Sequence, residues 1–238
     1  MQRKLSELSG HLIVCGFGRM GRLVCQEFAS QKLPFVVIDR NEDACERFDL
    51  AYGIAVHGDA ATDETLLLAG VDRARALISV VASDAENLYI TMSARVLNER
   101  LFIVARAEDE RSEQKLLRAG ATRVVSPYVI GGAGVAQAVL RPNVVDFLEL
   151  ATRTEHLELN IEEAVIAIGS SLAGTTLDSS GISQEPRLIV VAVKKATGQM
   201  TFNPPAETPL AAGDVLIMLG KRQDLDRVTH FAAQPVGR

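Results

Sequence analysis

A run of six residues, Gly16-Phe17-Gly18-Arg19-Met20-Gly21, constrains the fold of this chain more than any other feature, because its glycines have the spacing GxGxxG. The apolar run 12–15 precedes it, as expected of a strand buried on both faces, and an amphipathic segment follows at 21–29. In such a strand–turn–helix unit the first glycine allows the tight turn, the second lets the backbone approach a pyrophosphate, and the third lets helix and strand pack closely. The helix amino terminus also offers N–H groups to the phosphates, so the motif predicts a phosphate-binding turn.

The alternation of strand and helix continues to residue 127. Strands are expected at 12–15, 35–38, 54–56, 76–81, 101–105 and 124–125, and helices at 21–29, 42–49, 62–69, 84–98 and 112–119. Strands joined by one helix each imply right-handed crossovers and a parallel sheet with helices on both faces. We therefore predict an α/β fold built on a Rossmann-like, doubly wound parallel sheet.

Beyond residue 127 the pattern changes, which divides the chain into parts. Two consecutive helices, at 128–140 and from Pro142 onward, interrupt the rhythm and are typical of a bridge. Short β-like runs follow at 157–159, 188–193, 200–202 and 215–219, and a helix closes the chain at 223–232. We predict an N-terminal tether (1–9), a Rossmann-like domain (10–127), bridging helices (128–152) and a small α+β domain (153–238).

Asp39 ends the second predicted strand, 18 residues after the last glycine of the motif. This spacing matches the acidic residue that accepts hydrogen bonds from an adenosine ribose. A carboxylate there repels a 2′-phosphate and favours NAD or another adenine nucleotide over NADP, whereas the neighbouring Arg40 acts in the opposite direction. A Rossmann-like domain with an empty pocket is the alternative interpretation.

Further candidate residues follow the other strands at the same sheet edge. Asp59 either contacts the adenine side of a ligand or serves as a turn aspartate. Arg106 either pairs with a phosphate or forms a surface ion pair with Glu108 or Asp109. Three small apolar residues end the fourth strand, where a ligand would cross the sheet: Val80, Val81 and Ala82.

The composition excludes several classes of function. The formal net charge is −5, so the chain repels phosphate backbones and we expect no nucleic-acid partner. Its three cysteines lack zinc-binding spacing, and the charge-free stretch 124–140 is too short and too polar to span a membrane. Acidic residues at 84, 86, 108, 109 and 110 either supply oxygen ligands for a divalent cation or are solvated helix ends.

Together these segments resemble the RCK family, the regulators of K⁺ conductance built from TrkA-N and TrkA-C domains. The resemblance covers residues 10–232, and the chain resembles above all the RCK portion of bacterial ligand-gated potassium channels. It is carried by HLIVCGFGRMGR, FVVIDRN, HGDA, LYITMSARVLN, IVARAEDE, KLLRAGATRVVSPYVIGG and NPPAETPLAAGDVLIMLG.

The resemblance implies a regulatory module and not an enzyme. Such modules dimerise through the bridge helices, assemble into an eight-membered gating ring, and act on a potassium channel pore or transporter at the cytoplasmic face of the membrane. The implied ligand is NAD(H) or an adenine nucleotide, ADP or ATP. By resemblance, the phosphates lie on Gly16, Phe17, Gly18, Arg19, Met20, Gly21 and Arg106, the ribose beside Asp39 and Arg40, the adenine beside Asp59 and Ala60, and the pocket wall at Val80, Val81 and Ala82.

One departure concerns calcium. Calcium-gated relatives place two carboxylates after the fifth strand, where this chain has Arg106-Ala107-Glu108. Glu108 is therefore the remaining candidate metal ligand, and Arg106 would repel a cation there, although a Ca²⁺ site at a subunit interface stays open.

Two rival functions share the same fingerprint. An NAD-dependent oxidoreductase would share residues 10–127 but would need a positioned acid or base in its substrate domain, and residues 153–238 show no convergent set of His, Lys or Tyr. A free-standing nucleotide sensor for a separate transporter subunit would differ only in what precedes residue 1.

Overall fold

The computed structural model describes residues 2–152, 160–182 and 188–233. They form two compact units, Met1–Val135 and Ala136–Arg238, each with its own core. The first unit contains a parallel sheet and the second an antiparallel sheet. No helix in the described parts of the chain is both long and apolar enough to cross a bilayer.

The first unit confirms the predicted doubly wound sheet. Its strands are β1 (Leu12–Cys15), β2 (Phe35–Asp39), β3 (Gly53–His57), β4 (Ala76–Ser79), β5 (Phe102–Arg106) and β6 (Arg123–Val125). Its helices are α1 (Gln2–Glu7), α2 (Arg19–Ser30), α3 (Glu42–Glu46), α4 (Asp63–Leu68), α5 (Asp84–Leu97), α6 (Glu110–Arg118) and the first part of α7 (Pro127–Leu140). The strand order is β3-β2-β1-β4-β5-β6, all parallel, so the chain reverses direction across the sheet between β1 and β4. A crevice outside the carboxyl ends of β1 and β4 is where such sheets bind ligands.

The sheet is buried on both faces, as its continuous apolar strands require. Neighbouring residues of β1 point to opposite sides, so Ile13 and Cys15 pack into one core while Leu12 and Val14 pack into the other. A cluster of phenylalanines lies on the second side, where Phe35 contacts Phe28 and Phe48 edge-on. The two cores hold the strand ends, and therefore the loops that follow them, in fixed positions.

The amino-terminal segment differs from the expected polar tether. Residues 2–7 form α1, and Leu5 is buried in the first core. Arg73 holds this helix, because its guanidinium donates hydrogen bonds to the carbonyl oxygens of Leu5 (2.9 Å) and Leu8 (2.8 Å). The Leu5 carbonyl also accepts the N–H of Leu8 at 3.3 Å, so Arg73 adds a charged donor at the carboxyl end of α1, where a cation is favourable.

The second unit begins within α7 and continues into α8 (Pro142–Thr152), the two consecutive helices that the sequence indicated. The strands β7 (Asn160–Val165), β8 (Leu188–Lys194), β9 (Met200–Phe202) and β10 (Val215–Gly220) form an antiparallel sheet in the order β7-β10-β8-β9, and α9 (Arg222–Ala233) contributes Leu225 and Val228 to its core. The predicted strand at 157–159 lies outside the described residues. β7, at 160–165, was not predicted.

Candidate functional site

The fingerprint loop (Gly16–Gly21) connects β1 to α2, and each of its glycines has a steric reason. Gly16 has a φ of +100°, and a Cβ there would lie 3.1–3.2 Å from Val81. A Cβ on Gly21 would collide with the carbonyl oxygen of Gly16, whereas a Cβ on Gly18 would meet open space. Gly18 is the N-cap of α2 and supplies no side-chain cap, so the N–H groups of the first turn remain open to a ligand anion.

Asp39 ties the end of β2 to the fingerprint loop. Its Oδ2 accepts a hydrogen bond from the N–H of Phe17 at 2.5 Å, and its Oδ1 accepts one from the N–H of Asn41 at 2.8 Å. An ionised carboxylate offers about four acceptor positions, so two remain for other donors such as ribose hydroxyls.

Arg40 forms a double ion pair beside Asp39. Its guanidinium donates to Asp59 Oδ1 at 2.8 Å and to Glu86 Oε1 at 2.7 Å. These hydrogen bonds, with Asp59 first and Glu86 second, raise the pKa of Arg40 above its ordinary value. Partial burial acts to raise the pKa of Asp59, but hydrogen bonds from the Ala61 N–H and from Arg40 outweigh it and lower that pKa. Arg40 and Asp59 therefore both stay charged at neutral pH.

Asn87, in the first turn of α5, holds the ends of β4 and β5 together and was missed by the sequence analysis. Its side chain is fully buried, and its Oδ1 accepts from the Ser79 hydroxyl (2.7 Å) and the Val81 N–H (3.1 Å). Its Nδ2 donates to the carbonyl oxygens of Val81 (3.1 Å) and Arg106 (3.2 Å). A polar residue on the apolar face of α5, in register with Ile90, Thr91 and Ala94, is the signal that could have revealed it.

These residues surround two adjoining clefts at the carboxyl ends of the strands. The inner cleft, about 370 Å³ of space open to solvent, is lined by Gly16, Ile38, Asp39, Arg40, Gly58, Asp59, Ala60, Val81, Glu86 and Ile90. The outer cleft, about 1230 Å³, is lined by Gly16, Gly18, Arg19, Met20, Leu23, Asp39, Val80, Val81, Ala82, Arg106, Pro127 and Tyr128. Both clefts share Gly16, Asp39 and Val81, so a long ligand can lie in both at once.

Two residues of the fingerprint loop line neither cleft. The ring of Phe17 packs edge-on against Phe48, with centroids 5.3 Å apart, and the Arg22 guanidinium lies over the same ring, 5.3 Å from its centroid. Phe17 therefore serves the site through its N–H and packs elsewhere through its side chain. Gly21 is buried behind the turn and sets the distance between α2 and β1.

Arg106 has unused hydrogen-bonding capacity in the outer cleft. Its Nη1 lies 3.5 Å from the carbonyl oxygen of Val81, at the limit of a hydrogen bond, and its buried Nε has no partner among the described residues. A guanidinium is a fork of five donors that suits phosphate and carboxylate groups. The site therefore contains a positive charge that lines a cleft next to the fingerprint loop.

The acidic residues that follow β4 and β5 do not assemble into a metal site. The Asp84 carboxylate accepts the N–H of Glu108 at 3.0 and 3.1 Å, which makes it a local cap. Nowhere in the described ranges do three or more His, Cys, Asp or Glu side chains come close enough to hold a metal ion. Glu108, the remaining candidate ligand, is exposed and lines neither cleft.

Comparison with known protein families identifies both units. The TrkA-N domain family matches residues 12–127, and the TrkA-C domain family matches residues 161–233. The chain belongs to the RCK family, which combines these two domains. The resemblance inferred from the sequence motifs is therefore confirmed.

Two curated relatives from Methanocaldococcus jannaschii extend along almost the whole chain. Potassium channel protein 1 is 35% identical over 97% of this chain and 69% of its own length. Probable potassium channel protein 2 is 34% identical over 94% of this chain and 67% of its own length. About a third of each relative thus has no counterpart in this chain.

Solved structures share the RCK fold. The GsuK channel bound to NAD is 27% identical, with a TM-score of 0.51 over 94% of this chain and 39% of that chain. The TrkA-N domain of the inner membrane protein ybaL from Escherichia coli is 28% identical, with a TM-score of 0.51 over 57% of this chain. The human SLO3 gating ring, at 15% identity and a TM-score of 0.65, shows the fold alone.

Proposed function

We propose that this chain is the regulatory module of a potassium channel or potassium uptake system, and that it binds NAD(H), ADP or ATP in the joined clefts to control K⁺ conductance. The observation that carries the proposal is the fingerprint loop with its open α2 amino terminus, which lies with Asp39 and Arg106 along the same clefts. The Nε of Arg106 has no partner among the described residues. Relatives named as potassium channels and a GsuK channel structure bound to NAD support it.

Each part of a nucleotide has a chemically suited partner in the clefts. The first-turn N–H groups of α2 and the Arg106 guanidinium suit a diphosphate, with Arg19 and Met20 at the rim. The free acceptor positions of Asp39 suit the ribose hydroxyls. The inner cleft beyond it, with Gly58, Asp59 and Ala60, would receive the adenine.

We further propose that the chain assembles with copies of itself through two separate apolar surfaces. One is on α7, where Val135 is 71% exposed and Val139 is 80% exposed. The other is on α5, where Tyr89, Met92 and Val96 form an exposed stripe. A dimer needs one such surface, whereas a closed ring of dimers needs two different ones. This supports the octameric ring at the cytoplasmic face of a membrane pore or transporter.

A regulatory role is preferred to an NAD-dependent oxidoreductase. The curated relatives are named for potassium channels, and the groups lining the clefts are suited to binding a nucleotide rather than to proton transfer at a substrate. An oxidoreductase would convert NADH with a second substrate, so the absorbance of bound NADH, followed over a panel of oxidised substrates, distinguishes the two functions.

Calorimetric titration of the purified chain with NAD⁺, NADH, ADP and ATP tests the proposal, with and without Ca²⁺. We expect saturable binding of at least one nucleotide, weakened about tenfold or more by Asp39→Ala because the ribose acceptor is lost. Asp39→Asn keeps an acceptor for the Phe17 N–H and separates loop disruption from loss of charge. Asp63→Ala, which removes an exposed carboxylate outside both clefts, should bind like the wild type. Absence of binding by all four nucleotides contradicts the proposal.

A further inference from the structure

The four ionised side chains of the inner cleft have an unusual pairing pattern. Three are carboxylates, Asp39, Asp59 and Glu86, and one is the guanidinium of Arg40. Both terminal nitrogens of Arg40 donate to carboxylates other than Asp39, one to Asp59 at 2.8 Å and one to Glu86 at 2.7 Å. We call these three residues, Arg40, Asp59 and Glu86, the Arg40 bridge.

We propose that the Arg40 bridge makes this site selective for adenosine nucleotides with a free 2′-hydroxyl, and that it excludes those with a 2′-phosphate. This inference rests on the proposed nucleotide-binding function. A 2′-phosphate adds a charge of about −1.5 to −2 and is recognised by arginine donors that are free to turn toward it. In this cleft the nearest arginine already serves two carboxylates, and a third carboxylate stands at the ribose position.

The connectivity of the bridge explains why Arg40 does not simply turn toward a phosphate. Asp59 follows β3 and Glu86 lies in the first turn of α5, so the guanidinium joins three separate elements. Releasing it would leave two carboxylates facing each other across the cleft. The Asp59 Oδ1 would retain only the Ala61 N–H as a donor. The sequence left open whether Arg40 offsets the repulsion of a 2′-phosphate by Asp39. In the bridge the charge of Arg40 is neutralised by two other carboxylates, so the repulsion by Asp39 remains.

The experiment compares two matched pairs of probes by calorimetry: NAD⁺ with NADP⁺, and 5′-AMP with adenosine 2′,5′-bisphosphate. Wild-type protein should bind the unphosphorylated member of each pair at least about tenfold more tightly. In the double variant Asp59→Asn/Glu86→Gln, the amide oxygen introduced at position 59 can still accept the Ala61 N–H, but Arg40 is released and its charge is no longer cancelled. We call the affinity for the unphosphorylated probe divided by the affinity for its 2′-phosphorylated partner the affinity ratio. We expect this variant to lower the affinity ratio about tenfold, mainly by tighter binding of the 2′-phosphorylated probes.

The control variant Asp63→Asn/Glu64→Gln removes the same number of negative charges from exposed positions of α4, which Arg40 does not contact, and should keep the wild-type ratio. Arg40→Ala should widen the ratio, since only carboxylates then remain. The inference is overturned if the double variant at Asp59 and Glu86 keeps the wild-type preference. Wild-type protein that binds none of the probes would instead overturn the nucleotide-binding function itself, and this inference with it.

Discussion

Asn87 shows how one buried amide positions two loops of the candidate site. All four of its hydrogen bonds go to groups at the ends of β4 and β5, which carry Val81 and Arg106 into the clefts. Asn87→Leu keeps the branched shape and the number of heavy atoms but leaves the Ser79 hydroxyl, the Val81 N–H and two carbonyls without this partner. Because each buried unsatisfied group costs about 1–3 kcal/mol, we expect a loss of about 3 kcal/mol in the free energy of unfolding.

Urea unfolding followed by circular dichroism measures this loss. Gln114→Leu replaces an exposed amide on α6 with the same apolar side chain and should stay within about 0.5 kcal/mol of the wild type. An Asn87→Leu protein as stable as the Gln114→Leu protein would show that water replaces the amide and that the strand ends do not depend on it.

His11 makes the stability of the first unit depend on pH. The ring is fully buried, its Nε2 donates to the Ala69 carbonyl at 2.8 Å, and its Nδ1 has no partner among the described residues. Burial lowers its pKa from 6.5, opposed by the bond to Ala69, while nearby Arg73 lowers and Asp72 raises it. The unfolded chain therefore binds a proton that the folded chain does not, so stability is full above pH 6.5 and falls as the pH drops toward the folded pKa.

Chemical denaturation at a series of pH values between about 7.5 and about 5 tests this dependence. Replacement of His11 by Gln, which can still donate to the Ala69 carbonyl, should flatten the slope. His57→Gln, which removes an exposed histidine, is the control. A wild-type stability that does not change across this interval would contradict a neutral, buried His11.

At the scale of elements, α7 is a helix whose side chains are not covered by any of the residues that the structure describes. Residues 128–140 are all exposed, among them Val135 and Val139, which are one turn apart on the same face. If this face meets a second copy, Val135→Glu/Val139→Glu places desolvated charges in the contact and should raise the dimer dissociation constant at least about a hundredfold.

Sedimentation velocity over a concentration series measures the dimer dissociation constant. Gln137→Glu adds a charge on the opposite side of the same helix and should leave association unchanged. If both variants weaken self-association equally, or if neither weakens it, the Val135 and Val139 face is not the contact.

In the second unit, Asp214 holds the turn that leads into β10. It is 2% exposed and accepts hydrogen bonds from Lys195 (2.7 Å) and from the N–H groups of Ala196 (3.2 Å) and Ala211 (2.9 Å). Burial acts to raise its pKa, but these bonds, led by Lys195, lower it below 3.8. Asp214 therefore stabilises the unit above pH 3.8, and this contribution is lost as the pH falls through the folded pKa.

Asp214→Ala should destabilise the second unit at neutral pH by about 3 kcal/mol, since it leaves the partly buried Lys195 ammonium and two N–H groups without their acceptor. The loss should shrink as the pH falls below 3.8 toward the folded pKa, because the wild-type protein progressively loses this contribution as well. Thermal unfolding at about pH 7 and about pH 3 measures both effects. Asp178→Ala, at an aspartate for which the structure gives no such set of bonds, is the control.

At the scale of the whole molecule, every residue of the two clefts belongs to the first unit. A nucleotide at about 100 times its dissociation constant should therefore stabilise that unit by about 2.7 kcal/mol. Differential scanning calorimetry should show two unfolding transitions, one whose midpoint temperature rises when NAD⁺ is added and one whose midpoint temperature does not. A shift of the second transition alone would move the ligand site to the second unit.

Most of the first unit could be predicted from the sequence, because its strands are continuous apolar runs and its turns are marked by glycine. The second unit was harder to predict. In β7, the adjacent Glu162 and Glu163 break the alternation by which a half-buried strand is identified, so this strand was not predicted. The burial of Leu5 was not predicted, because the apolar pair Leu5 and Leu8 in a polar segment is too short to give a periodic signal.

The candidate site could be predicted only where spacing along the chain reports it. The fingerprint loop and Asp39 are such a case, and their juxtaposition in the structure follows from one βαβ unit. The partners of Arg40 lie 19 and 46 residues away, and the two strands that Asn87 joins are separated by a complete helix. Contacts of this kind arise from strand order and helix packing, which no local pattern specifies.

The outer cleft is lined by Pro127 and Tyr128, and these same residues form the first turn of α7. A ligand that touches them therefore touches the start of the helix whose exposed valines are proposed to meet a second copy. Free-energy conservation then makes the two events reciprocal: any factor by which a nucleotide tightens or loosens self-association is the factor by which self-association changes nucleotide affinity. The nucleotide concentration that gives half-saturation would accordingly change with protein concentration. The direction of that change would reveal whether the ligand favours the separate or the paired chains.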